Sequence, residues 1–295
     1  MAGGSPAEGK KKAMKENRNR FSEEETRVFA PSEKIGIVAT IPQEGPPHIT
    51  LLTSIMAASP DKAVIGEFCR GESKSNMVAR PTVAFAVVTL DKRLWRGRAR
   101  WTHLVKEGPE YDTYNNQPMF RYNTYFGINT VHCLDLIEIG GGTPLPMGTI
   151  VFSALLTKLA KNGAARPGTE PILTHFSESL FNRLDSLSFL SYIDDDGIPV
   201  IIPVVQCQAA DSGRLAFHPG VFGKELSELT PGMSISVFCV SMQMESVLTC
   251  GVFEGFYRHR GIRLGLMDIG RVYNSMPSNH GWIYPEKPLE PVINF

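Results

Sequence analysis

Apolar residues along this chain fall in short β-branched runs and period-two alternations, not at helical spacing. KIGIVATI (Lys34–Ile41), HITLLTSIM (His48–Met56), KAVIGEF (Lys62–Phe68) and TVAFAVVTL (Thr82–Leu90) each read as a strand, and turn residues separate them. Leu94–Val105 alternates, with Trp95, Gly97, Ala99 and Trp101 on one face and Arg96, Arg98 and Arg100 on the other. HCLDLIEI (His132–Ile139) supplies a sixth strand. Helical patterning is found at a capping box at Ser22 and Glu25, in a stretch opening after RGESKSN (Arg70–Asn76), in the amphipathic run Thr149–Gly163 and in Ser177–Asp185, while residues 107–126, rich in Tyr and Asn, read as helical or irregular. The fold expected is mainly β with short helices, and no βαβ alternation is present.

The second half repeats the first. Gly197–Phe256 follows Gly45–Trp101 in element order: a G-x-P turn, strand, polar break, strand, a loop carrying lysine, a short helix, a long strand, a turn, and a strand containing glycine. Lys74 pairs with Lys224 and Gly97 with Gly251 in this reading, which predicts two tandem β-barrels. The domain expectation is a polar, disordered tail over 1–20, a first barrel over 21–140, a linker with helices over 141–180, and a second, divergent barrel over 181–295.

Composition narrows the function classes. Thirty basic residues balance thirty acidic ones, so no net field draws the chain to nucleic acid or to an anionic membrane, and neither partner is expected. No apolar stretch reaches membrane-spanning length and the basic N-terminus lacks an apolar segment after it, so a cytoplasmic location is expected. Cys69, Cys133, Cys207, Cys239 and Cys250 form no C-x-x-C pair and read as buried thiols. The seven histidines show no metal-ligand spacing, so no metal site is expected. The Gly-rich run Gly140–Gly148 lacks a phosphate-loop signature and reads as a linker.

One segment carries candidate chemistry. RGESKSN places Arg70, Ser73, Lys74 and Asn76 where a strand gives way to a helix, and a helix start offers unpaired N–H groups and positive potential to a phosphate monoester. Gly45–Pro47, ITLLTSIM, AVIGEF, the S-K-S-N loop and RPTVAF together resemble the FMN-binding split-barrel superfamily, which includes the pyridoxamine 5'-phosphate oxidase-like and flavin reductase-like proteins. The resemblance implies a split barrel in each half and non-covalent FMN. It implies that Thr53 and Ser54 on the second strand, the loop residues Arg70, Ser73, Lys74 and Asn76, and Arg98 on the fifth strand bind the cofactor. It further implies an oxidoreductase acting on a small-molecule redox substrate, with no catalytic residue identified. Haem, with His218 as a conceivable axial ligand, and deazaflavin are the alternative cofactors, and a non-catalytic flavin-binding module is the alternative role.

The chain also departs from that pattern. It ends in WIYPEKPLEPVINF, without the Arg-Leu-x-Pro signature of pyridoxamine-phosphate oxidase, so that activity itself is not expected. In place of S-K-S-N the second repeat has FGKELSE, whose Glu225 and Glu228 would repel a phosphate. The resemblance further implies a cofactor lying between two barrels, so either the repeats pair within one chain or two chains pair through their first repeats; the homodimer is expected, because the second repeat lacks the matching phosphate loop.

Overall fold

The computed structural model describes residues 18–30, 33–68, 71–117, 128–166, 171–275 and 281–284. Arg70, Cys69, most of the N-terminal tail and the end of the chain lie outside them.

The first described helix, α1 (Glu23–Val28), begins at the capping box expected from sequence. The Glu25 N–H donates to Ser22 Oγ at 3.2 Å, and the Ser22 N–H donates to the Glu25 carboxylate at 2.8 Å. Seven strands follow: β1 (Lys34–Thr40), β2 (His48–Leu51), β3 (Met56–Ser59), β4 (Lys62–Glu67), β5 (Thr82–Thr89), β6 (Arg93–Val105) and β7 (Thr130–Pro144). Helix α2 (Glu72–Ala79) lies between β4 and β5, and α3 (Pro109–Asn116) between β6 and β7. Their sheet order is β2-β1-β5-β6-β7-β4-β3.

The strand expected over His48–Met56 is two strands. The Leu52 N–H turns back to Gly36 O at 2.7 Å, and the Ile55 N–H closes onto Leu52 O at 3.2 Å. Only a glycine admits this approach, since a Cβ on Gly36 would lie 2.5 Å from Leu52 O. Thr53 and Ser54 therefore occupy a turn that carries the chain from one edge of the sheet to the other.

The second half contains α4 (Met147–Ala160), α5 (His175–Asn182), β8 (Leu187–Ile193), β9 (Pro199–Pro203), β10 (Gln208–Asp211) and β11 (Arg214–Phe217). After these come α6 (Gly223–Leu226), β12 (Ser234–Val240), β13 (Ser246–His259), β14 (Ile262–Asn274) and β15 (Gly281–Tyr284). Read from the other edge, the second sheet runs β9-β8-β12-β13-β14-β11-β10, with β15 added on β14. This is the first sheet's order with every strand number raised by seven. In each sheet the two end strands are consecutive in the chain, so each is a barrel left split between them.

The repeat holds to the residue. Pairings Met56↔Val64, Ala57↔Ala63 and Ser59↔Lys62 recur 152 positions on as Gln208↔Ala216, Ala209↔Leu215 and Asp211↔Arg214, with the register irregularity in the same place. The turn bonds recur as Val204 N–H to Ser188 O and Cys207 N–H to Val204 O. The bulge between Arg98 and Ala99 on β6 recurs between Cys250 and Gly251 on β13. This constant shift corrects the residue matching made from sequence. Lys74 is equivalent to Leu226 and Gly97 to Thr249, so the lysine and glycine pairs were each two positions out.

By contact the described chain forms two compact units, one of Met1–Ile37, Leu51–Arg70 and Ala84–Leu145, the other of Val38–Thr50, Gly71–Val83 and Pro146–Phe295. The first unit includes a small core of Met56, Val64, Tyr114, Ile128, Val131 and Cys133. Tyr114, fully buried, donates its hydroxyl to the carbonyls of Ser54 (2.5 Å) and Val64 (3.1 Å). The second unit has a large core, in which Phe217, Phe253, Leu190, Ile235 and Met267 are sealed from solvent.

Candidate functional site

The residues singled out around the S-K-S-N segment are not on a loop. Glu72–Ala79 is helical, and Ser73, Lys74, Asn76 and Met77 are its buried residues. Serine and asparagine usually weaken a helix by bonding to its own backbone. Here their side chains reach neighbouring strand residues of the same unit instead. Ser73 Oγ lies 2.6 Å from Thr50 Oγ1, and Asn76 Nδ2 donates to Thr40 Oγ1 at 3.3 Å. Thr40 in turn donates to His48 O at 3.3 Å. The N-cap Gly71 is extended and has no side chain to cap the helix, so no capping side chain covers the first-turn N–H groups. Hydroxyls, an amide and the buried Lys74 are thus gathered on the first turns of one uncapped helix.

Thr40 and Thr50 were missed from sequence. Both lie on strands, where a threonine is an ordinary choice, and only the tertiary contact with α2 marks them. Their signal becomes visible once the repeats are aligned by register. The second repeat has Tyr192 for Thr40, Ile202 for Thr50, Glu225 for Ser73, Leu226 for Lys74 and Glu228 for Asn76. A tie to the strand persists just beyond α6, where Tyr192 donates to the Glu228 carboxylate at 3.2 Å, in place of the Asn76 bond to Thr40. The donors suited to a phosphate do not persist. Burial and the adjoining Glu228 both push the Tyr192 hydroxyl well above its usual range.

Thr53, Ser54 and Arg98 belong to the first unit. The Ser54 hydroxyl donates to Gly66 O at 3.0 Å, a bond that recurs in the second repeat as Gln206 to His218 O at 2.5 Å. Arg98 is ion-paired with Glu138 on the neighbouring strand, Nε to Oε1 at 3.2 Å. Its charge is therefore shared with a carboxylate that sequence reading did not foresee opposite it. His218, the conceivable haem ligand, accepts the Gly220 N–H on Nδ1 at 3.2 Å, and burial lowers its basicity.

A small solvent-open cleft in the second unit is walled by His48, Glu72, Asn76, Cys250 and Arg271 among others. The His48 ring stands edge-on to Tyr273 with centroids 4.7 Å apart. Cys250 is no nucleophile, since burial pushes its thiol up to about 12 despite the pull of Arg271. Cys133, Cys207 and Cys239 are likewise buried free thiols whose pKa values burial raises.

Two sheets of one strand order, each split between consecutive end strands, define the chain as a tandem split-barrel protein. No protein-family description and no curated protein matches it. Among solved structures it is similar to HupZ of Group A Streptococcus (16% identity, 42% of this chain and 98% of that one, TM-score 0.35). It is also similar to an FMN-binding protein from Syntrophomonas wolfei (12%, 41% and 84%, 0.35). A third is a putative pyridoxamine 5'-phosphate oxidase from Lactobacillus delbrueckii (20%, 43% and 98%, 0.34). At these scores the likenesses carry no argument about function. Among the described residues no helix is long and apolar enough to cross a membrane.

Proposed function

We propose that the first repeat binds FMN through its phosphate at the start of α2, and that the chain is a cytoplasmic, homodimeric flavin-dependent oxidoreductase of a small-molecule substrate. The observation that carries this reading is the difference between two repeats that share strand order and pairing register. At equivalent positions the first has Thr50, Ser73, Lys74 and Asn76, and the second has Ile202, Glu225, Leu226 and Glu228. The scaffold does not need the first repeat's set for its turn and bulge, because the second repeat keeps both with the apolar and acidic set.

The donor set fits a phosphate monoester. A helix start without a capping side chain, the positive end of the helix and a lysine ammonium all favour a dianion. In this reading Lys74 supplies the compensating charge and the Ser73–Thr50 pair holds the first turn in place. The Asn76–Thr40 bond fixes the angle of α2 on its strand. The exposed Glu72 is the one carboxylate on this turn. It is equivalent to Lys224, so the second repeat combines one lysine with two carboxylates at the corresponding places. Bound flavin would supply hydride or single-electron transfer, for which the protein's part is binding and orientation.

Isothermal titration of the purified chain with FMN tests the reading. Saturable binding at micromolar or lower concentration, at one FMN per chain, is expected. No detectable heat, with a colourless protein, would refute it. A stoichiometry of two would place a site in each repeat and overturn the assignment to the first.

A further inference from the structure

In each repeat one helix lies against the same part of the sheet. Tyr114 of α3 packs with Val64, Val131 and Cys133 on β4 and β7. Ala160, at the end of α4, packs with Ala216, Leu264 and Leu266, the corresponding residues of β11 and β14. The outward faces of the two helices differ in chemistry. On α3 the exposed residues are Pro109, Asp112, Thr113 and Asn116. On α4, Ile150, Ser153, Ala154, Thr157 and Ala160 face inward, while Val151 (54% exposed), Phe152 (60%), Leu155 (49%) and Leu159 (60%) face outward.

We infer that this outer face of α4 is a homodimer interface, closed by the same helix of a second copy. A helix that is apolar all round belongs in an interior, and the first repeat shows that this scaffold accepts a covering helix with a polar back. Val151, Leu155 and Leu159 are spaced four apart and form one continuous ridge, the surface that packs against a like ridge at about −50°. An antiparallel two-fold crossing at Leu155 sets Leu155 on the partner's Leu155 and Val151 on the partner's Leu159. Such a contact is isologous and closes at two.

The face carries a single charge and supplies a little over half of the area that a specific interface buries. Lys158 is the only charged residue of α4. In this crossing the two copies of it stand ~9 Å apart along the axes, about one screening length at physiological salt. The exposures correspond to roughly 400 Å² of apolar surface per chain, as large as the largest patch on a typical monomer. Two such faces give ~800 Å² before the flanks are counted, against about 1,200–2,000 Å² for a specific interface. Exposed Pro146, Gly148, Thr149 and Lys158 on the same segment provide flanks for the remainder. The interface uses the second repeat, not the first repeats paired in the sequence reading, and it does not depend on flavin binding.

Sedimentation velocity and cross-linking on the full chain test it. Wild type at micromolar concentration is expected at twice the 32.5 kDa chain mass, and Leu155→Glu at the chain mass with an unchanged melting curve. Leu155→Cys is expected to form a covalent dimer under mild oxidation faster than Leu184→Cys, which is 74% exposed on another segment. A monomeric wild type, a Leu155→Glu dimer, or equal cross-linking of the two cysteine variants would overturn the proposal. So would a monomer that floats with anionic vesicles through Leu155, which would assign the face to lipid. FMN titration of Leu155→Glu reads the cofactor site separately.

Discussion

Replacing Lys74 by methionine separates the phosphate reading from a merely structural role for the first turn of α2. Lys74 is buried, so alanine would add a cavity to the loss of charge, whereas methionine keeps most of the volume. A charge-assisted hydrogen bond to phosphate contributes ~1.5–3 kcal/mol, which is about a ten- to a hundredfold change in the dissociation constant. Lys74→Met is therefore expected to weaken FMN by that factor in calorimetric titration. The melting temperature of the cofactor-free protein, read beside the titration, separates a loss of ligand contact from a loss of fold. The matching control is Lys224→Met in the second repeat, at the position equivalent to Glu72, where the expected change in FMN affinity is less than threefold. A Lys74→Met protein that binds FMN within threefold of wild type would refute the reasoning. So would equal weakening by the two variants, because α2 would then be no more a phosphate site than α6. Loss of affinity with an equal fall in the apo-protein melting temperature would show that Lys74 supports the fold and not the ligand.

Three further outcomes follow from the packing. Gly251→Ala places a Cβ 1.8 Å from Asp268 O, so β13 and β14 must part at the bulge, and a loss of ~2–4 kcal/mol in urea unfolding is expected; wild-type stability would show that the strands yield freely there. Tyr114→Phe leaves the Ser54 and Val64 carbonyls without their buried donor and is expected to cost about 1–3 kcal/mol in the same assay. Lys34 is buried, its amine donates to Ala30 O at 2.7 Å, and desolvation lowers its pKa from 10.5 to about 8. Between those two values the unfolded chain binds more protons than the folded one, so stability rises with pH across that window. Lys34→Met is expected to melt above wild type at neutral pH and to lose this advantage by pH 10.5, and an advantage independent of pH would contradict the assignment.

The sequence by itself determined the class of fold. Period-two alternation and β-branched runs specify strands wherever they occur, since a half-buried strand needs that pattern, and the capping box at Ser22 and Glu25 states a helix start locally. The duplication was legible because element order survives divergence. Its register was not. Similar residues two positions apart, Lys74 with Lys224 and Gly97 with Gly251, drew the alignment off by two. The shift of 152 became visible only through strand pairings and paired bulges. The break at Thr53–Ser54 was hidden for a related reason. HITLLTSIM holds no glycine or proline to mark a break, and what ends β2 is a backbone bond to Gly36, sixteen residues upstream of Leu52. The candidate site divided in the same way. Ser73, Lys74 and Asn76 could be chosen from sequence as phosphate-type donors at a helix start. That Ser73 meets Thr50, that Asn76 meets Thr40, and that Arg98 is matched by Glu138 depended on strands brought together from distant parts of the chain. Local pattern fixes what each segment can be, because propensity and alternation act over a few residues. Long-range pairing decides which polar groups face each other, because that depends on register and on which strands become neighbours.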